Sequence, residues 1–197
     1  MKKNLAVSFI LIVCMLCAAC SLGRDKADVG MKNLTQALLT LDKNVLSQYG
    51  ETTDPEKDFM DTFVPTFQKA TNNALTPEQA KQIGKTMIAR LAQVEVKSVS
   101  IVSEKDNSAE VKITIDTLDG GALEKEPSAE ENKKIQGAAA SEKAMQGVLT
   151  DLFIDRMNNA KKIGTSTMTV KCKYNEDKDV WEPLDMEKFI DDLYSNA

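Results

Sequence analysis

The chain has 197 residues, and 25 Lys and Arg stand against 30 Asp and Glu, so the formal net charge at pH 7 is −5. Histidine is absent, which excludes Ser–His and Cys–His nucleophile pairs and removes the commonest zinc ligand. Nucleic acid is not an expected partner, because phosphate groups are bound by clustered Lys and Arg and this acidic chain has no long basic run.

The first twenty residues have the pattern of an export signal. Lys2 and Lys3 form a positive start, and the uncharged run 5–19 is shorter than the roughly 20 residues of a membrane-spanning helix. The run leads through Cys17-Ala-Ala to Cys20, which resembles the lipobox of bacterial lipoproteins, although Cys17 stands where that motif usually has Leu. The resemblance implies a diacylglyceryl group, and acyl chains such as palmitate, on Cys20. An ordinary cleaved signal with incidental cysteines is the alternative.

The leader predicts how the chain is divided. We expect a signal peptide over residues 1–19, a lipid tether over 20–28 and a single domain over 29–197. Two or more acyl chains anchor a protein stably, which predicts attachment to the extracytoplasmic side of a cell membrane. Cys172 is the only cysteine of the predicted domain, so stability must come from a hydrophobic core and not from disulfides.

Three amphipathic helices are predicted at the start of the domain. Apolar residues at helical spacing indicate the first one, namely Leu34, Leu38, Leu41 and Val45. The second begins at Asp54-Pro55, an N-cap followed by proline at the first helical position, and we expect Pro65 to kink or split it. The third begins at the capping box formed by Thr76 and Gln79.

The second helix carries a row of aromatic residues. Phe59, Phe63 and Phe67 recur every four residues and therefore share one face. Such a row either packs into the core or forms the aromatic wall of a ligand pocket, and the sequence leaves both interpretations open.

The apolar period then changes from about 3.6 to 2, which predicts strands. One hairpin runs from Val94 to Ile115, with a phase slip near Lys97-Ser98 that suggests a β-bulge. A second hairpin covers residues 165–184, and a long helix from Ser128 to about Asn158 lies between them, with Gly137 as the candidate division between its two halves. Asp185 is predicted to cap a last short helix that bears Phe189, Ile190 and Leu193. We therefore predict an α+β domain in which two hairpins form an antiparallel sheet of about four strands and the helices pack on one face.

Two polar motifs imitate reactive sites without completing them. Asn175, Asp177 and Asp179 resemble the start of a calcium loop, but Val180 occupies the position that needs Gly, so a solvated turn is the better interpretation. Cys172 is predicted to be a buried structural thiol, because its lysine neighbours on a strand point to the opposite face. No metal site, cofactor or catalytic constellation is predicted.

The only tryptophan, Trp181, follows the acidic turn of the second hairpin. This segment resembles the closing hairpin of nuclear-transport-factor-like and cystatin-like domains, and the whole layout resembles small lipoproteins of Firmicutes whose domain has no assigned function. The first resemblance implies an α+β domain with Trp181 either in the core or beside a ligand.

The sequence therefore predicts a non-enzymatic envelope lipoprotein that binds a small ligand or a protein partner. Its candidate surface consists of Phe59, Phe63, Phe67 and Trp181. Two alternatives stay open: a hydrolase that uses a pair of carboxylates, and a solute-binding component associated with an importer.

Overall fold

The computed structural model describes residues 25–50 and 54–197, so the predicted signal peptide and Cys20 lie outside the described residues. It confirms the predicted α+β class, with a four-stranded antiparallel sheet in the order β1-β2-β3-β4. The strands are β1 (Val96–Lys105), β2 (Ser108–Leu118), β3 (Lys162–Asn175) and β4 (Val180–Pro183). The helices are α1 (Ala27–Thr40), α2 (Lys43–Leu46), α3 (Pro55–Ala70), α4 (Pro77–Leu91), α5 (Gly121–Glu124), α6 (Ala129–Ala138), α7 (Glu142–Asn159) and α8 (Met186–Asn196).

The sheet consists of the two predicted hairpins, joined through the pairing of β2 with β3. The register of β1 against β2 shifts between Val96 and Ser98, which confirms the predicted bulge, and shifts again between Ile101 and Ser103. Each bulge adds an unpaired residue to β1 and increases its local twist. The first one explains why the apolar alternation of this strand changes phase.

The main core lies between the sheet and two helices, α1 and α8. Val111, Ile113 and Ile115 of β2 are fully buried, and they pack with Leu34 of α1 and Leu193 of α8. Alternate residues of β2 and β3 point the other way, and that face is largely polar; its exposed members include Lys112, Thr167, Thr169 and Lys171. The helices therefore cover one face of the sheet, and the core is confined to that side.

Trp181 is the largest fully buried side chain of the described residues. It lies on β4, where its Nε1 donates a hydrogen bond of 2.8 Å to the backbone oxygen of Asp25. Gly30 of α1 faces the indole so closely that a Cβ at this position would be 2.9 Å from Cδ1 of Trp181. Because only glycine lacks that atom, the close packing of α1 on β4 depends on Gly30.

The first predicted helix is interrupted, which the apolar spacing did not indicate. The structure ends α1 at Thr40, and Leu41 follows in the left-handed conformation with φ of 51°. Asp42 then starts α2 as its N-cap, since its Oδ1 accepts hydrogen bonds from the backbone N–H groups of Asn44 and Val45. Leu41 and Val45 keep their helical spacing in sequence, but they belong to different segments of backbone.

The second predicted helix is not split at proline. α3 continues through Pro65 to Ala70. Pro65 is exposed, as is Asp61, whose backbone oxygen loses its helical donor at this point, so water can satisfy that oxygen.

The inserted helical region consists of two main helices instead of one. The predicted capping box at Ser128 and Glu131 is present and begins α6. A second N-cap at Ser141 begins α7, which packs on α4. Helices α3, α4 and α7 enclose a smaller hydrophobic cluster around three buried residues, Leu75, Ile83 and Met157.

A group of four charged side chains joins the first three strands at one end of the sheet. The carboxylate of Asp116, only 5% exposed, lies 3.2 Å from Nζ of Lys97 and 2.6 Å from Nζ of Lys162. Both ammonium groups also contact Glu95, at 2.7 Å and 3.2 Å. The bond from Lys162 is the main reason why the pKa of Asp116 lies below its ordinary value, and the bond from Lys97 is the main reason for the lowered pKa of Glu95.

We expect this group to make stability depend on pH. The two carboxyl groups have a lower pKa in the folded chain than in the unfolded one, so their contribution is complete above about pH 5 and is lost as pH falls through their folded values. Asp116→Asn should therefore lower the free energy of unfolding at pH 7 and reduce the loss of stability on acidification. Urea titrations at pH 7 and pH 3 test this, with Asp192→Asn, a change in an exposed pair with Lys188, as the control. Equal pH dependence in the Asp116 variant and the parent would contradict the expectation.

Candidate functional site

The row of phenylalanines predicted from the sequence lies along α3. Asp54 caps this helix by accepting a hydrogen bond of 3.1 Å from the backbone N–H of Lys57. Phe59 and Phe63 stack with ring centroids 5.5 Å apart, and Phe63 and Phe67 stack with centroids 5.2 Å apart. The four-residue spacing thus produces a continuous aromatic strip, which confirms that the three rings share one face.

Contacts at both ends and behind it hold the strip in place. Phe67 meets Phe153 of α7 edge to face at 5.4 Å, and Phe59 meets Tyr194 of α8 in the same way at 6.5 Å. Behind the strip, Gly84 of α4 approaches so closely that a Cβ there would lie 2.9 Å from Cδ1 of Phe63. One side of the strip therefore packs against the smaller hydrophobic cluster, and the other side is available to form a wall.

That other side borders a groove of about 660 Å³ between α3, α1 and α8. Its size falls within the range of small-molecule sites in proteins, roughly 300–1,000 Å³. Most of the lining is apolar: Leu34, Leu38, Leu41, Leu46, Tyr49, Pro55, Phe59, Phe63, Phe67, Ala70, Met186, Ile190 and Tyr194. The remaining lining residues are Asp58, Thr62, Thr66 and Asp191.

Two tyrosines line the groove, and one of them ties two of its walls together. The hydroxyl group of Tyr194 donates a hydrogen bond of 3.0 Å to the backbone oxygen of Leu38, which ties α8 to α1. Burial raises the pKa of Tyr194 to about 12, and burial together with the charges of Glu182 and Asp25 raises the pKa of Tyr49 to about 12. Both phenols are therefore neutral at physiological pH and add no charge to the groove.

The polar lining residues on α3 form a second row beside the aromatic strip. Asp58, Thr62 and Thr66 are spaced four residues apart and are exposed. Asp191 on α8 is exposed as well, so both lining carboxylates stand at the opening of the groove. Lys and Arg are absent from the groove lining that the structure describes.

The structure brings together three of the four side chains of the predicted surface. Phe59, Phe63 and Phe67 border the groove, whereas Trp181 is buried in the main core and lies on a neighbouring polar depression. Tyr49 borders both. The fourth predicted residue therefore supports the fold beside the groove and does not line it.

The sequence predicts a last short helix capped by Asp185, which α8 confirms, but it does not predict that α8 supplies a wall of the groove. Met186, Ile190 and Tyr194 recur every four residues, a spacing that signals one helical face. The spacing does not indicate which other helix this face will meet. Across the groove it faces α3, which lies more than a hundred residues earlier in the chain.

Cys172 and the turn of residues 175–179 both have structural roles. Cys172 is 1% exposed, and burial raises the pKa of its thiol to about 11, as expected of a structural cysteine. In the turn between β3 and β4, Oδ1 of Asn175 accepts hydrogen bonds from the backbone N–H groups of Asp177 and Lys178. Within the part of the chain that the structure describes, no cluster of three or more metal-ligating side chains is present, and no helix is long and apolar enough to cross a membrane.

Comparison with known proteins gives a similarity of fold alone. No protein-family model matches the chain, and no curated protein matches it. The fold is similar to the crystal structure of YcdA, a candidate lipoprotein of Bacillus subtilis, with a TM-score of 0.54 and 16% sequence identity. The match covers 80% of this chain but only 55% of YcdA, so this chain corresponds to about half of that protein.

Proposed function

We propose that the protein is an extracytoplasmic lipoprotein, held by lipid on Cys20, that binds a small apolar ligand in the groove between α1, α3 and α8. The observation that carries the binding proposal is the groove of about 660 Å³ with its aromatic strip. Removing an apolar ligand from water in such a groove is favourable in proportion to the area buried, about 25 cal/mol per Å². The chemistry required is binding, for which a catalytic group is unnecessary.

The shape of the groove favours a small ligand over a protein partner. Protein partners dock on exposed apolar patches, but the phenylalanines of the strip are half-buried. The exposed large apolar side chains of residues 25–50 and 54–197 lie elsewhere, at Val29, Val102, Leu123, Ile163 and Leu184. The apolar surface of the groove is therefore recessed between helices, in the way that small-molecule sites usually are.

A neutral fluorescent probe tests the binding proposal. N-phenyl-1-naphthylamine should show a saturable rise in fluorescence when titrated with the protein produced without its leader and lipid. Thr66→Trp should reduce this rise strongly, because the exposed Thr66 lines the groove and an indole there would fill part of it. Thr169→Trp is the matched control, since Thr169 is exposed on the sheet face away from the helices and should leave the titration unchanged.

Two results would overturn the binding proposal. The first is the absence of a saturable signal with the unmodified domain. The second is a signal that Thr66→Trp and Thr169→Trp leave equally intact, because this would place the probe outside the groove. Far-UV circular dichroism of each variant shows whether it is folded.

The lipid anchor is supported by the leader pattern that ends at Cys20 and by the fold shared with a candidate lipoprotein. Mass spectrometry of the native protein tests it: the N-terminal residue should be Cys20 with a diacylglyceryl group. An unmodified Cys20 would contradict the lipid anchor. In a second test, Cys20→Ser should release the protein from the membrane fraction.

A carboxylate-dependent hydrolase is the second candidate, since Asp58 and Asp191 both border the groove. In such an enzyme one carboxyl group acts as the general acid, and burial usually keeps it protonated. Both groups here are exposed, which favours ligand binding over hydrolysis.

A further inference from the structure

The opening of the groove has a pronounced excess of negative charge. Residues 54–61 of the α3 segment contain four carboxylates and one lysine, and residues 185–192 of the α8 segment contain the same numbers. The contact between Phe59 and Tyr194, at 6.5 Å, brings these two segments together at one end of the aromatic strip. The two local charge excesses therefore act on the same end of the groove.

Four of these carboxylates have structural roles. Asp54 and Asp185 are the N-caps of α3 and α8, where a carboxylate is favourable beside the helix N-terminus. Asp61 and Asp192 form ion pairs with the lysines four residues before them.

The two carboxylates that border the groove are Asp58 and Asp191, and both are exposed at its opening. Asp58 adjoins Phe59 in α3, and Asp191 lies about one helical turn before Tyr194 in α8, so both carboxylates lie at the end of the groove where these two rings meet. Carboxylates attract a cation directly, and the faces of Phe and Tyr rings attract it as well. The carboxylates and the rings therefore both favour a positively charged group at this end of the groove.

We propose that the ligand of this groove is a single-chain amphiphile with a cationic head group, an inference that rests on the proposed binding function. The hydrocarbon chain lies along the strip formed by Phe59, Phe63 and Phe67, and the head group lies between Asp58 and Asp191. The groove follows α3 from Pro55 to Ala70, about 22 Å of helix at 1.5 Å per residue, which suits one extended chain. An anionic head group at the same place would face two carboxylates and no cationic lining residue of the described groove.

Three probes with the same alkyl chain test the inference: dodecyltrimethylammonium, dodecyl sulfate and the neutral dodecyl maltoside, each below its micelle concentration. We expect the cation to bind about tenfold more tightly than the anion in low salt, with the neutral probe between them. The preference should decrease in 0.5 M salt, since exposed charges are screened over a distance of a few ångströms at that ionic strength. Isothermal titration calorimetry gives all three affinities.

Two double variants test whether Asp58 and Asp191 cause the preference for the cationic probe. The double variant Asp58→Asn/Asp191→Asn should bring the ratio of the cation and anion affinities close to one. Asp61→Asn/Asp192→Asn removes the same amount of charge from the same two helices, but at positions that do not line the groove, and should keep most of the preference.

The outcomes separate this inference from the proposed function. If the neutral probe does not bind in the groove, the binding function itself is wrong. If the neutral probe binds but the cation and the anion bind equally, or if both double variants lose the preference equally, the groove is a binding site and the inference about its ligand is wrong.

Discussion

Replacing Trp181 by alanine should lower the free energy of unfolding by about 3–5 kcal/mol, the usual cost of deleting a buried aromatic side chain. The indole is 1% exposed and packs between the sheet and α1. The change also removes the donor that ties the backbone oxygen of Asp25 to β4. Because this is the only tryptophan, the measurement should be urea unfolding followed by far-UV circular dichroism.

Leu184→Ala is the control for this prediction. Leu184 directly follows β4 and is 59% exposed, so its truncation should change the free energy of unfolding by no more than about 0.5 kcal/mol. A loss below about 1 kcal/mol in the Trp181 variant would show that the indole does not have the packing role given to it here.

Replacing Gly30 by alanine should destabilise the protein although it places a better helix former inside α1. The added Cβ would lie 2.9 Å from Cδ1 and 3.2 Å from Cβ of Trp181, so the helix or the indole has to move. Overpacking of this kind typically costs about 1–3 kcal/mol. The midpoint of urea unfolding should therefore fall.

Gly147→Ala is the matched substitution in α7, where an added Cβ would meet nothing within 4 Å. There the helix propensity of alanine should dominate and raise the free energy of unfolding by about 0.5–1 kcal/mol. The two Gly→Ala variants should thus have opposite signs. Stabilisation by Gly30→Ala would contradict the close contact between α1 and Trp181.

Local signals in the sequence were sufficient for most of the architecture. The capping box of Thr76 with Gln79 and that of Ser128 with Glu131 are both present, because each depends on only four residues. The bulge in β1 was visible because a change in apolar phase is a local property of a strand. These features need no knowledge of distant contacts.

The interruptions of the helices were harder to predict. The break at Leu41 preserves the apolar spacing, and its only local signal is the capping side chain of Asp42. At Pro65 the helix is not split, because the affected backbone lies at an exposed position where water can replace a helical hydrogen bond, and the sequence does not reveal that exposure.

The groove could be predicted only in part. The four-residue spacing of Phe59, Phe63 and Phe67 was enough to place the rings on one face. The opposite wall depends on the packing of α8 beside α1, to which the bond from Tyr194 to Leu38 contributes across 156 residues of sequence. Pairings at that distance are set by the complete core, which no local pattern specifies.

The two outer strands of the sheet make addition of a foreign strand unfavourable. β1 is interrupted by two bulges and carries Lys97 and Lys105 near its ends, while β4 is only four residues long and ends in Pro183. Edge strands that are twisted by bulges, or that contain charged residues or proline, pair poorly with an extended chain from another molecule. At high local concentration, copies of this domain should therefore not aggregate by pairing of their edge strands.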